Sequence, residues 1–207
     1  MHLKYDYVDV EINMGVTELR GSNARQALHI LECLLGRDFT DYYAQLDNEV
    51  VGELPKSASL DIEGFTFTGN GSKRTVTLSG SSNQGLACIR LIDDKIRTTY
   101  YAEHEGVSIL DDIYMYPQVN ARVDEILHEL GWEYIDDSNI VRVLFTTQEL
   151  LKRNGVKCVI ILEPIYDLTA SELTKLCKMC YHYGNYVIYH SKSKIRLAGN
   201  DHVTKYI

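Results

Sequence analysis

Three groupings in the chain have residue types and spacings suited to chemistry. The first is cationic. Lys192, Lys194 and Arg196 alternate after His190, and in an extended segment residues two apart share a face, so all three would meet one polyanion. Lys73 and Arg74 beside the turn Asn70-Gly71, and Lys152 and Arg153 with Lys157 around Asn154-Gly155, are further candidate phosphate contacts. The second grouping is acidic. Asp93-Asp94, Asp111-Asp112 and Asp136-Asp137 offer oxygens of the kind calcium takes, although none has the spacing of an EF-hand loop. Asp111 and Asp112 are the preferred pair, with Glu103, Glu105 and Asp124 as neighbours in the expected fold. The third is Cys177-Lys178-Met179-Cys180 with His182, which invites a zinc reading. Both cysteines fall on the apolar stripe of one helix and no second pair completes four ligands, so packing is the better account. The competing reading of each basic pair is a solvated charge, and of each acidic pair a turn. No Gly-x-Ser-x-Gly elbow and no His-Glu-x-x-His helix is present, so hydrolase chemistry has no foothold.

The elements that must position these groups follow from periodicity. Tyr5 to Ile12 alternates, Asn13-Met14-Gly15 turns, and Val16 to Arg20 follows, which predicts a hairpin. After Gly21-Ser22-Asn23, apolar residues at Ala24, Ala27, Leu28, Leu31, Leu34 and Leu35 recur at helical spacing up to Gly36. Short strands are predicted at Leu60 to Thr68, Arg74 to Leu78, Leu86 to Ile92 and Ile96 to Tyr101, read together as an antiparallel region. Pro117 suits a first helical turn, and Val119, Val123, Ile126, Leu127 and Leu130 make one stripe before Gly131. Thr146-Thr147-Gln148-Glu149 has capping-box spacing and predicts a helix start, with the helix ending near Asn154-Gly155. Val156 to Leu162 is nearly continuous apolar, as in a strand covered on both faces. A second capping box at Thr169 to Glu172 opens a helix to Gly184, and Tyr186 to Tyr189 is again a strand, so the C-terminal third reads as a parallel βαβ unit.

Gly21-Ser22-Asn23-Ala24-Arg25 therefore links a strand to a helix, the setting of a phosphate-binding loop. A working loop reads G-x-x-x-x-G-K-[ST]: glycine lets the backbone wrap the phosphates, lysine neutralises their charge, and the hydroxyl holds magnesium. Here the second glycine, the lysine and the Ser/Thr are missing, and Arg25 stands near the lysine position. One arginine does not offset the lost phosphate contacts, so ATP binding and hydrolysis are not expected.

Three segments in order resemble the ABC-type P-loop ATPases. Val16 to Asn23 looks like the strand and loop of a Walker A element. Ile160-Ile161-Leu162-Glu163-Pro164 is similar to the strand ending in Leu-Asp-Glu-Pro, with Glu163 left of its acidic pair, and Tyr166-Asp167-Leu168 falls at the D-loop. Val187-Ile188-Tyr189-His190-Ser191 looks like the strand carrying the switch histidine, at His190. Within that superfamily the chain's size, acidic balance, degenerate loop and terminal βαβ unit resemble the type II-A CRISPR spacer-acquisition family. That resemblance implies an α/β fold with an ABC-like head, a homotetrameric ring, calcium at acidic sites, double-stranded DNA ends in the central hole and other CRISPR adaptation proteins as partners. The expected head covers about 1–104 and 140–207, with parallel C-terminal strands and an antiparallel hairpin region, and a smaller helical lobe covers about 105–139. Two other readings stay open: a protein-interaction scaffold from a phage or mobile element, and a residual ATP-binding sensor.

Composition bounds all of these. The 207 residues are 45% hydrophobic with 3 prolines, an ordered globular composition, and a chain of this length buries roughly 70% of its unfolded surface. With 29 acidic against 21 basic residues the net charge is -8, which excludes a generally basic nucleic-acid coat and requires a local patch for any polyanion. No run approaches the ~18 apolar residues of a membrane span, and Met1 to Asp9 lacks an apolar signal core, so a cytoplasmic protein without membrane contact is expected. The five cysteines, an odd set in apolar segments, read as buried free thiols.

Overall fold

A computed structural model of the chain describes residues 1–37, 39, 55–80, 85–92, 95–101, 117–129, 131, 140–153, 155–162, 174, 183–190 and 202–207. These residues form a mixed α/β fold with two sheets. The first is antiparallel and holds β1 (His2–Tyr5), β2 (Val8–Glu11), β4 (Ser57–Ile62), β5 (Phe65–Asn70) and β6 (Thr75–Gly80), in the order β2-β1-β4-β5-β6. The second holds β3 (Gly15–Arg20), β7 (Leu86–Ile92), β8 (Lys95–Tyr101), β9 (Lys157–Leu162), β10 (Tyr186–His190) and β11 (His202–Tyr206). Its order is β11-β3-β10-β9-β7-β8, with the first five strands parallel and β8 antiparallel at the edge.

Helix α1 (Ala24–Gly36) lies between the sheets, touching β3, β7 and β10 of the parallel one and β4 and β5 of the antiparallel one. This position explains why Ala24, Ala27, Ile30, Leu31, Leu34 and Leu35 are all fully buried, more of the surface than a one-sided stripe would cover. One apolar cluster joins Leu3, Leu60 and Phe67 from the first sheet through α1 to Leu19, Ile188, Val159 and Cys88 of the second. Cys158, Ile160, Ala87, Ile89 and Val187 alternate with these and are equally buried. On that other side α3 (Ile140–Arg153) contacts β8 and β9, and α2 (Pro117–Glu129) packs on α3. Asn185 Nδ2 donates to Gln148 Oε1 at 3.1 Å, tying α3 to the start of β10.

Several expectations hold. The Val156 to Leu162 run contains β9, which lies mid-sheet between β10 and β7, and the C-terminal strands are parallel. Pro117 opens α2, and Cys33, Cys88 and Cys158 are buried free thiols. Among the described residues no helix is long and apolar enough to cross a membrane.

Four local expectations are corrected. The N-terminal hairpin does not join residues 5–12 to 16–20. It closes at Asp6-Tyr7 to pair β1 with β2, while β3 leaves for the other sheet and pairs with β10 and β11. The predicted Leu60 to Thr68 strand is two strands, broken at Glu63 (φ 50°) and Gly64 (φ 87°), a two-residue turn with both residues left-handed. The middle of the chain is not one antiparallel region, because β7 runs parallel to β9. The Thr146 capping box lies inside α3, where the Thr146 hydroxyl donates to Arg142 O at 2.9 Å, a bond within the helix. Of the expected lobe at 105–139 the described part is α2 and Gly131. The predicted helix at 169–184 falls almost wholly outside the described residues.

Candidate functional site

Parallel strands all end at one edge of their sheet, and ligands of open α/β sheets bind beyond such carboxyl ends where the chain order reverses. Here the registers pair Leu19 with His190, Tyr189 with Leu162, and Arg20 with Tyr206. The Gly21 turn, His190, the position before Glu163 and Ile207 therefore share that edge. The structure thus brings Gly21, Ser22, Asn23, Arg25 and His190 together, while Glu163 itself lies outside the described residues.

The turn is held by its own chain. Gly21 has φ 110°, and a Cβ there would lie 2.1 Å from Ile207 O, so this position needs glycine both for its conformation and for the approach of a neighbouring backbone. Ile207 N–H donates to Arg20 O at 2.9 Å, and Asn23 N–H donates to Ile207 O at 3.3 Å. An N–H that a phosphate loop would turn to its ligand is already bonded. Asn23 is the N-cap of α1, but its side chain makes no capping bond. Its Oδ1 accepts from the Tyr7 hydroxyl at 3.3 Å and its carbonyl from the Tyr5 hydroxyl at 3.4 Å, so the β1–β2 hairpin grips the turn from the other sheet. Burial, with the nearby Tyr7 and Asp6 adding to it, pushes the Tyr5 hydroxyl up to about 12.

Ser22 is exposed, and Arg25 is half-buried on the first turn of α1. His190 Nδ1 lies 3.1 Å from Leu19 O. A carbonyl only accepts, so Nδ1 carries the hydrogen and the ring is anchored to the strand bearing the turn. On β3 the Glu18 carboxylate is 1% exposed. Arg20 Nη2 lies 2.9 Å from its Oε2 and pairs with it, which raises the Arg20 pKa.

The predicted cations divide. Lys73 and Arg74 stand exposed at the β5–β6 turn, where Asn70 Oδ1 accepts from Lys73 N–H at 3.0 Å and Arg74 has φ 52°. Lys152 and Arg153, in the last turn of α3, have partners within the chain. The Lys152 ammonium is 5.1 Å from the centre of the Tyr183 ring, and Arg153 Nε donates to Glu149 Oε1 at 3.0 Å. Lys192, Lys194, Arg196, Asp111 and Asp112 lie outside the described residues. Asp124, grouped with the last two, accepts from Arg142 Nη1. Among the described residues no group of three or more His, Cys, Asp or Glu could hold a metal.

Sequence reasoning missed three participants. Tyr5 and Tyr7 were read only as strand alternation, and β11, which delivers Ile207 to the turn, is five residues with nothing to say which strand they would pair with. No family model, no curated protein and no solved structure matches the chain.

Proposed function

We propose that the protein is a non-catalytic, double-stranded DNA end-binding protein of the CRISPR spacer-acquisition type, acting as a homo-oligomeric ring on a head that resembles the P-loop ATPases. The observation that carries the reading is the closure of the Gly21 turn by Ile207, with the Asn23 N–H bonded to its oxygen. A strand, a turn, a helix and a histidine-bearing strand at one sheet edge resemble a nucleotide site, yet the turn lacks the lysine that triphosphate requires and its Asn23 N–H is already bonded to Ile207. A scaffold of this sort is available for another ligand. Exposed Lys73 and Arg74 give a net-acidic chain one local patch for phosphates. Calcium is the divalent ion expected with the acidic sites, and a tetramer the expected assembly.

The test is native mass spectrometry with and without calcium, followed by a mobility shift on linear and closed circular duplex. A tetramer that retards linear DNA alone supports the reading, and a lone subunit that retards neither overturns it. A second reading, an interaction scaffold without nucleic acid, draws on the engagement of Lys152 and Arg153 within the chain. It predicts the second result. A residual ATP sensor would instead be stabilised by Mg-ATP through mass action.

A further inference from the structure

The outer face of β4, β5 and β6 is mostly hydroxyl groups, whereas β1 and β2 continue the same face with His2, Lys4, Asp9 and Glu11. Strands β4, β5 and β6 turn Ala58, Leu60, Ile62, Phe65, Phe67, Val76 and Leu78 toward the core. Alternation therefore sends Ser57, Ser59, Thr66, Thr68, Thr75, Thr77 and Ser79 to the other side. The registers align them in rows: Ser57 with Asn70 and Thr75, and Ser59 with Thr68 and Thr77. Spacing is ~4.8 Å between strands within a row and ~6.8 Å between rows. Neither row carries a carboxylate on these three strands. The first acid is Asp61, one row further on, which accepts from the Thr66 hydroxyl at 2.7 Å. Beyond Ser59 the row continues to Lys4, and then to Asp9, which pairs with Lys4 and hydrogen-bonds the His2 ring.

One end of this face is basic. Gly71 N–H donates to Lys56 O at 3.0 Å and Arg74 N–H to Gly71 O at 3.3 Å. These bonds fold the β5–β6 turn against the start of β4, so exposed Lys56 joins exposed Lys73 and Arg74 around the Ser57–Asn70–Thr75 row. Lys56 is invisible as a member of this patch in sequence, being seventeen residues from Lys73.

A face of hydroxyls bordered by cations has little to offer an apolar partner. Serine and threonine hydroxyls together with lysine and arginine are the groups that hold the phosphate oxygens of nucleic acid and fix its register without reading sequence. We infer that this face, with Lys56, Lys73 and Arg74 at its end, is the surface that grips the sugar-phosphate backbone of duplex DNA; the inference rests on the DNA-binding reading above and names the surface that serves it.

The experiment measures anisotropy of a labelled blunt duplex with the full chain across a salt series, for wild type, K56A/K73A and T68V/T77V. All four positions are exposed, and valine suits a strand; Arg74 is left in place because it occupies the left-handed turn. The lysine double variant should bind more weakly and flatten the slope of log affinity against log salt by about 2. The threonine double variant should weaken binding about five- to tenfold with the slope unchanged, since it removes neutral donors only. If wild type binds duplex and both variants match it in affinity and slope, the surface is wrong and the DNA reading survives. If wild type binds no duplex at any salt, both fall. A lysine variant that shifts the assembly state but not the duplex slope makes this face a contact between copies and overturns the inference.

Discussion

The backbone N–H of Asn23 donates to the backbone oxygen of Ile207 at 3.3 Å, across the turn that joins the first parallel strand to its helix. Gly21 lies directly under that oxygen. Gly21→Ala should therefore cost about 2–4 kcal/mol, since its Cβ must displace backbone and the alanine must hold a left-handed φ. Urea unfolding of the variant measures it. An unchanged midpoint would mean that the turn and Ile207 do not meet in solution.

Closure of the same turn makes a ligand prediction. Millimolar Mg-ATP should leave the melting temperature of the protein unchanged, because a ligand that does not bind the native state contributes no linkage stabilisation. A rise of several degrees by scanning fluorimetry would contradict the reading of the site.

Tyr186 spans the two sheets, donating its hydroxyl to Glu63 Oε1 at 2.8 Å. Burial first, then this bond and the Glu63 charge, push the Tyr186 hydroxyl up to about 12, and Tyr5 is raised to the same level, chiefly by burial. In the unfolded chain both titrate near 10. Between these values the unfolded state holds fewer protons, so the contribution is whole below pH ~10 and is lost as pH rises toward 12. Denaturation midpoints across this range should fall, and Y5F/Y186F should fall less steeply than wild type.

Glu18 and Arg20 make a third case. Arg20→Ala leaves a carboxylate that is 1% exposed without its cation, which should destabilise the fold by roughly 2–4 kcal/mol. The double variant E18Q/R20A should recover much of the loss. A double variant no better than R20A alone would show that packing of the arginine stem, rather than charge, is what matters.

At the centre of the layers, Leu31→Ala should cost about 2–5 kcal/mol, because the residue is fully buried between two sheets that cannot both collapse on the cavity. Calorimetry checks it.

What was legible in the sequence were features carried by local periodicity. The apolar run through β9 marks a strand covered on both faces, the spacing from Ala24 to Leu35 marks α1, and Gly21 marks a turn between strand and helix. That the Gly21 turn lacks the G-x-x-x-x-G-K-[ST] pattern is equally plain, because that chemistry depends on residue identity within eight positions.

Partner choice was not legible, since a strand's alternation says which face is buried and not which strand lies beside it. Thus β3 reads as the second arm of a hairpin and in fact crosses to the other sheet, and β7, which pairs antiparallel with β8 as read, also pairs parallel with β9 from about seventy residues away. The site follows the same division. Residue types by themselves say that this turn lacks the lysine and hydroxyl of a nucleotide's cradle, whereas the meeting of Gly21 with Ile207, of Asn23 with Tyr5 and Tyr7, and of Lys56 with Gly71 is decided by long-range strand pairing. Loop closure makes such pairs costly to form and local sequence carries no signal for them, so only the packed core selects which ones occur.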